Sequence, residues 1–418
     1  MVFSDVAILS ITGPGKQQYM VEVSLTIMAV LVAAVLAVSA SRRLLLCYAA
    51  AMLYRPWKAI SARPRIWIAC ACRNEARRLP RLIASLAALP YEGDRVVILI
   101  DDGSADGSAE LMRDAEAMQP DLFRAVALPS PQRGKAIALR EGLTGLPMSD
   151  DDLLLVIDAD HRLAPDALEN LVKYFADPRV AAVAIEHPVD RASRSLVSAY
   201  CYLEAAVGEA VTSRGQHALG LPTKLAGSWA CRPATFRKLY PERWQFADDT
   251  MFSAAISAEG GRIAYAADVR ALQDVPDTLA GYLAQHVRWS AGYAESATKA
   301  LLLRGRGESL VAWFDSLATH AGYFERPLLV VLALLALLGW VAGTLVPIIV
   351  AALLVGLYVL VVGLQIGLAL RLSGADRRLV LMSLASLPFL AVDVTISVRG
   401  IVAGLVGQRI VWTTEHRG

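Results

Sequence analysis

The run Leu153–Ile157 ends in Asp158-Ala159-Asp160. Five consecutive apolar residues of this kind read as a strand buried on both faces. In an open α/β sheet, chemistry sits just beyond the carboxyl ends of the strands. Carboxylates are rarely buried alone, and the simplest partner for two of them is a hard divalent cation, Mg²⁺ or Mn²⁺. Such an ion leaves positions free for phosphate oxygens. Three further clusters lie along the chain: Asp101-Asp102, Asp248-Asp249, and Gln285 with Arg288-Trp289. Singly, each is weak. Paired acids in a loop are usually a solvated turn, and Asp150-Asp151-Asp152, which precedes a strand, is assigned no role. An Arg-Trp pair on a helix is more often packing than recognition. The four clusters in this order, at strand ends and helix starts, are far more specific.

These residues need a sheet to position them, and the middle of the chain supplies one. Ile66–Ala71, Val96–Ile100, Phe123–Leu128, the Leu153 run and Val180–Ile185 are strand-like, and Arg262–Tyr265 is a short strand. Helical stretches alternate with them. One carries Leu79, Leu82, Ile83, Leu86 and Leu89 on its apolar face. Asp106 and Ser108 offer N-caps for the next, through Met118. This alternation predicts an α/β fold with a mainly parallel sheet.

The bulk numbers set this domain in a wider frame. The chain has 418 residues, 56% hydrophobic and 19% charged, too apolar for an ordinary soluble enzyme. A net charge of +2 argues against nucleic acid as a partner. The five cysteines form neither a disulfide framework nor a zinc pattern, which fits a reducing compartment. Val21 to about Ala40 is long enough to span a bilayer. Arg42, Arg43, Arg55 and Lys58 follow it, placing the downstream side in the cytoplasm. A signal peptide is disfavoured, because the charges come after the apolar run. Leu44–Tyr54 reads as a separate, shorter interfacial segment. Residues 299–326 read as interfacial amphipathic helices. Leu328–Val346 and Ile348–Leu370 are two further spans with Pro347 in the turn between them, and the basic loop Arg371–Arg378 is cytoplasmic. Leu379–Val406 contains Asp393 and Arg399 and is either one span or a re-entrant hairpin. The expected organisation is a membrane helix and interfacial segment over 1–62, a catalytic domain over 63–298, interfacial helices over 299–326, and a membrane region over 327–418. That is a multi-pass protein of the plasma membrane with its catalytic domain in the cytoplasm.

Taken together, the motifs resemble those of the membrane-integrated family 2 glycosyltransferases with a GT-A fold. The subgroup includes cellulose, hyaluronan and chitin-oligosaccharide synthases and ceramide glucosyltransferase. Arg73-Asn74-Glu75-Ala76 resembles the family's first strand end, Asp101-Asp102-Gly103-Ser104 its nucleotide-contacting motif, and Gly134-Lys135-Ala136 with Leu139 its helix start. Asp158-Ala159-Asp160 matches the metal-binding Asp-x-Asp, Phe246-Ala247-Asp248-Asp249 the catalytic-base motif, and Gln285-x-x-Arg288-Trp289 the Gln-x-x-Arg-Trp signature. Asp248 stands where the family usually has Glu.

The resemblance implies an inverting, metal-dependent hexosyltransferase using a UDP-sugar. Asp249 would be the general base. Asp101, Asp102, Lys135, Asp158, Gln285, Arg288 and Trp289 would bind the nucleotide-sugar. Asp158 and Asp160 would hold the metal, which neutralises the leaving diphosphate. Arg288 would grip that diphosphate as a planar fork, and the helix start at Gly134-Lys135 offers a second anion site. Asp248, Gly227, Ser228 and the apolar face of Trp289 would meet the acceptor, with Lys224 near them. A packing turn is the alternative for Gly227-Ser228-Trp229. His161 is either a third metal ligand or an ordinary strand-end histidine. The acceptor is a growing polysaccharide or oligosaccharide, or else a membrane lipid such as ceramide, diacylglycerol or a polyprenyl carrier. Partners would be the lipid bilayer and either a second copy or an export protein. A non-catalytic scaffold is disfavoured by acids at every strand end, and a transporter leaves the polar middle unexplained.

Overall fold

The computed structural model describes residues 14–55, 57, 62–129, 134–242, 248–302 and 309–406. The chain divides into two compact units, Met1–Leu44 with Phe324–Leu364, and Leu45–Tyr323 with Gln365–Gly418.

Helix α1 covers Pro14–Tyr48. It does not stop near Ala40 as expected. No glycine or proline interrupts it, and a π-helical turn, Ala49–Leu53, carries it to Tyr54. The separate interfacial segment expected over Leu44–Tyr54 is therefore the end of this helix. Then β1 (Ile66–Cys72), α2 (Leu79–Ala87), β2 (Arg95–Asp101), α3 (Ser108–Met118), β3 (Phe123–Ala127), α4 (Lys135–Gly142) and β4 (Leu153–Val156) alternate as the sequence predicts. Next come β5 (His161–Leu163), α5 (Ala167–Val172), β6 (Val180–Glu186), α6 (Leu196–Ala206), a π-helical stretch (Val207–Ser213), α7 (Arg214–Ala218), β7 (Trp229–Cys231), α8 (Pro233–Leu239), α9 (Asp248–Ala258) and β8 (Arg262–Gln273).

Among the described residues, these eight strands form one sheet in the order β3-β2-β1-β4-β7-β6-β8-β5. Strands β3, β2, β1 and β4 run parallel. Strand β7 is antiparallel to both β4 and β6, β6 and β8 are parallel, and β5 is antiparallel to β8. One face of β1 sets Ile66, Ile68, Cys70 and Cys72 into one apolar core, and the other sets Trp67 and Ala69 into a second. That is the two-sided burial the apolar runs predict. Strand β8 is longer than the Arg262–Tyr265 strand expected. Beyond an irregularity near Ala266 it continues, burying Val269 and Ala271 and leaving Arg270 exposed.

The remaining helices are α10 (Leu279–Leu302), α11 (Leu310–His320), α12 (Glu325–Val341), α13 (Val346–Leu372), α14 (Arg377–Ala385) and α15 (Phe389–Leu405). Among the described residues, three helical stretches are long and apolar enough to cross a membrane: Gln17–Leu53, Gly322–Val341 and Val346–Leu372. Pro347 lies in the first turn of α13, where its missing N–H costs nothing, rather than in the connecting turn. Helices α14 and α15 pass the same apolarity test together, bent by 58° at the break before Phe389. Within the first unit, Arg43 pairs with Glu325 at 2.5 Å and Tyr358 Oη donates to Glu325 at 2.7 Å. Polar groups on apolar helices thus satisfy one another.

Candidate active site

Loops at the carboxyl ends of β1 and β2 are stitched together. Asn74 takes a left-handed conformation (φ 55°), donates its N–H to Ser104 Oγ (3.0 Å) and accepts at Oδ1 from Ala105 N (2.8 Å). Asp101 accepts from Ser104 N at 3.1 Å. Asp102 accepts at Oδ2 from Gly134 N at 3.0 Å, which fastens the start of α4 to the end of β2.

That contact changes the expectation for α4. The Gly134 amide is taken by Asp102, and Lys135 Nζ lies 2.6 Å from Asp158 Oδ1 and 3.4 Å from the Gly227 carbonyl. One amide at the helix start therefore serves an internal anion, and Lys135 lies beside the Asp-x-Asp pair. Burial opposes that charge, but Asp158, Asp248 and Asp249 override it and hold the Lys135 pKa above its usual value.

Ligand atoms of Asp158, Asp160 and His161 all lie within 4.8 Å of one another. His161 Nδ1 lies 2.8 Å from Ser228 Oγ, and its Nε2 lies 3.9 Å from Asp160 Oδ1. Burial pushes the imidazole below its ordinary pKa despite Asp160, so it is neutral near pH 7, the form that ligates metals. Two carboxylates and a neutral imidazole oriented by a hydroxyl make a donor set that fits Mg²⁺ or Mn²⁺.

Behind His161 stands His187, with ring centroids 5.0 Å apart. His187 Nδ1 lies 3.0 Å from Glu209 Oε1, and its Nε2 lies 3.0 Å from Ser228 N. Burial disfavours its charge, yet Glu209 raises its pKa. The sequence reading missed His187 and Glu209. The available signal was position: His187 directly follows β6, at another strand end.

The turn between these groups is Gly227. Its φ is +57°, and a Cβ there would sit 2.6 Å from His161 Cε1 and 3.3 Å from His187 Nε2, so only glycine fits. Its N–H donates to Asp249 Oδ2 at 3.1 Å, while its carbonyl faces Lys135. Asp249 also accepts at Oδ1 from Thr250 N at 2.7 Å, in the first turn of α9. A helix N-terminus favours a carboxylate.

Its neighbour Asp248 turns the other way. It is buried and accepts from Tyr240 Oη, in an aromatic cluster with Trp229, Phe236 and Phe252. Burial raises its pKa, Asp249 adds to the rise and Lys135 works against it. Consecutive helical residues point about 100° apart, so Asp249 faces Gly227 while Asp248 faces the core. The acceptor contact expected of Asp248 is thereby corrected to an internal one. Lys224 lies over the Tyr293 ring at 4.6 Å. Burial lowers its pKa, with Asp249 and Glu209 pulling it back up.

Gln285, Arg288 and Trp289 are half-buried on α10, which packs against α9. The Trp289 ring lies 4.6 Å from that of His286. Direct contacts therefore join Lys135 to Asp158 and Gly227 to Asp249. The α10 residues belong to a neighbouring element. Phe246 and Ala247 of the motifs lie outside the described residues.

Residues 64–292 match the family described as "Glycosyltransferase like family 2". The chain belongs to this family. Poly-beta-1,6-N-acetyl-D-glucosamine synthase of Staphylococcus aureus is 29% identical over 225 residues, 53% of this chain and 53% of that protein. An N-acetylglucosaminyltransferase of Rhizobium leguminosarum bv. viciae is 25% identical over 238 residues, 54% of this chain and 55% of that one. The chain spans about half the length of the curated relatives it matches. A mannosyltransferase from Pyrobaculum calidifontis, solved with GDP-Man and Mn2+, is similar over 92% of this chain and 100% of its own, with TM-score 0.64 and 22% identity. That likeness establishes the GT-A fold. The protein is a family 2 glycosyltransferase.

Proposed function

We propose that this glycosyltransferase moves an N-acetylhexosamine or hexose from a UDP-sugar to a growing polysaccharide or oligosaccharide, inverting the anomeric centre to give a β-linkage. The observation that carries this reading is the Gly227 turn. One residue reaches Asp249 through its N–H and the Lys135–Asp158 pair through its carbonyl. A base and a cation-rich leaving-group pocket thus flank one short turn.

Asp249 accepts the proton of the acceptor hydroxyl as its oxygen attacks the anomeric carbon. The bond from that carbon to the diphosphate breaks on the opposite side, and UDP departs with the electron pair. Asp158, Asp160 and His161 would hold a divalent ion, which when bound would supply neutralisation of the charge growing on the diphosphate. Lys135 adds a fixed positive charge beside Asp158, and Arg288 binds phosphate oxygens as a fork. Asp101 and Asp102 hold the nucleoside, Gln285 supports the diphosphate side, and Trp289 offers a flat apolar face. Gly227, Ser228 and Lys224 border the acceptor. The names of the relatives favour N-acetylglucosamine as the sugar and a polymer as the product. The three apolar helices and the basic residues Arg42, Arg43, Arg377 and Arg378 support a multi-pass protein of the plasma membrane with its catalytic domain in the cytoplasm.

The test is incubation of purified membranes with radiolabelled UDP-N-acetylglucosamine, UDP-glucose or UDP-galactose, followed by separation of lipid-extractable from polymeric label. Label in a polymer from UDP-N-acetylglucosamine is expected. Label confined to the lipid extract replaces the polymer acceptor with a membrane lipid.

A further inference from the structure

The α10 helix, which carries Gln285, Arg288 and Trp289, packs along α15, a segment of the C-terminal apolar region. Asp393 lies on α15, in a run otherwise fit for a bilayer, and is 0% exposed. Its two carboxylate oxygens accept from Tyr200 Oη of α6 and Tyr282 Oη of α10. Tyr282 Oη also lies 3.1 Å from Glu204 Oε2, and Glu204 is 2.9 Å from His286 Nε2. The His286 ring stacks on Tyr282 at 3.8 Å and meets Trp289 at 4.6 Å with the planes tilted by 55°. A continuous series of contacts therefore runs from Asp393 to a residue of the Gln-x-x-Arg-Trp signature.

About two to three turns further along, α15 meets α10 at backbone distance. A Cβ on Gly400 would fall 1.6 Å from Ser290 Oγ, and one on Gly404 would fall 2.4 Å from the Ala291 carbonyl. Ser290 Oγ fills the notch and lies 3.3 Å from the Ile396 carbonyl. Small residues four apart let helices approach this closely. A buried carboxylate answered by two tyrosines, next to such a seam, fixes both the rotation and the height of α10.

We propose that α15 is a structural part of the donor site, and that Asp393 is a positioning residue for Arg288 and Trp289. The inference rests on the donor role given above to Arg288. Asp393 itself touches no substrate. It sets the rotation of α10, and Arg288, one and a half turns beyond Tyr282, follows that rotation.

The test measures UDP binding with Mn²⁺ by the full-length protein in detergent, alongside thermal unfolding. Asp393→Asn is expected to weaken binding about five- to tenfold. Tyr282→Phe, which keeps the ring stack but loses both carboxylate contacts, is expected to do the same if Asp393→Asn fails to fold. In an Arg288→Ala background the further loss is expected to shrink below about twofold, because coupled residues are not additive. Unchanged affinity in both single variants overturns the proposal. So does an equal fold-loss in the Arg288→Ala background when Arg288→Ala has itself lowered affinity. If Arg288→Ala leaves affinity intact while Asp393→Asn lowers it, the donor role of Arg288 fails and positioning by α15 stands. A wild-type protein that ignores UDP overturns the UDP reading, and GDP then replaces it in the same comparison.

Discussion

The strand-borne and helix-borne parts of this site are held in place by different means. Asp101 is fixed within its own loop by Ser104 N, while Asp102 and Asp158 are fixed by Gly134 N and Lys135 Nζ from the start of α4. Those contacts follow from parallel strands ending at one edge. The α10 residues sit on a helix packed against α9. Their helix is set by Glu204 and Asp393, which come from α6 and α15, far away in the chain. The strand-borne part is held by nearby loops and the helix-borne part by helices distant in the chain. Local hydrogen bonds give rigidity, whereas remote side-chain contacts let a distant segment set a position.

Four measurements would break or sharpen that contrast. The largest effect is expected for Asp249→Asn. Turnover should fall about 10³-fold, while UDP affinity changes less than about twofold; full turnover would remove the base. Chelation with EDTA should lower activity about 10²-fold or more, with Mn²⁺ or Mg²⁺ restoring it. Indifference to EDTA would leave Asp158 and Asp160 paired with Lys135 alone. Gly227→Ala should cost about 10- to 100-fold in kcat, because the added methyl meets His161 and the φ is unfavourable. A normal rate there would show that the turn yields, against the rigidity ascribed to the strand side. The smallest effect concerns Glu186, whose carboxyl burial and the nearby Glu209 push up to about 7. A folded-state pKa above the unfolded value of 4.5 means that the folded protein binds this proton more tightly. Its stabilisation is present at low pH and is lost as pH rises from about 4.5 through about 7. Glu186→Gln should flatten that decline, a difference of a few degrees in Tm near pH 7. Parallel melting curves for both proteins from pH 5 to 8 would rule the effect out.

The same contrast explains what could be read from sequence. Strand ends are the easier part to read, because an apolar run that stops at a carboxylate marks where a buried strand meets a polar edge. Asp158 and Asp160 stand out that way, and Asp249 stands out through its motif. Gly227 could be flagged but not explained, since its positive φ and the closeness of His161 exist only once the chain is folded. Asp248 was misplaced because adjacent acids look alike in sequence, whereas a helix sends them to different faces. His187 was missed although it ends a strand, because a lone histidine has many ordinary uses. Asp393 stood out as a charge in an apolar run. Nothing in sequence joined it to Tyr200 and Tyr282, which lie more than a hundred positions earlier. The length of β8 was also underestimated. Its inward residues after Ala266 are small or resume after an irregularity, so the alternation is broken.

The two peptides that meet at Gly227 have a consequence for timing. The N–H of the first holds Asp249 and the carbonyl of the second faces Lys135, with a single Cα between them. On the roles proposed above, a shift of Lys135 as the nucleotide leaves would reach Asp249 through two backbone torsions and not through a rigid plane. Product departure and the resetting of the proton acceptor would then be linked without being locked together, and glycine, with the loosest torsions of any residue, would set how far one follows the other.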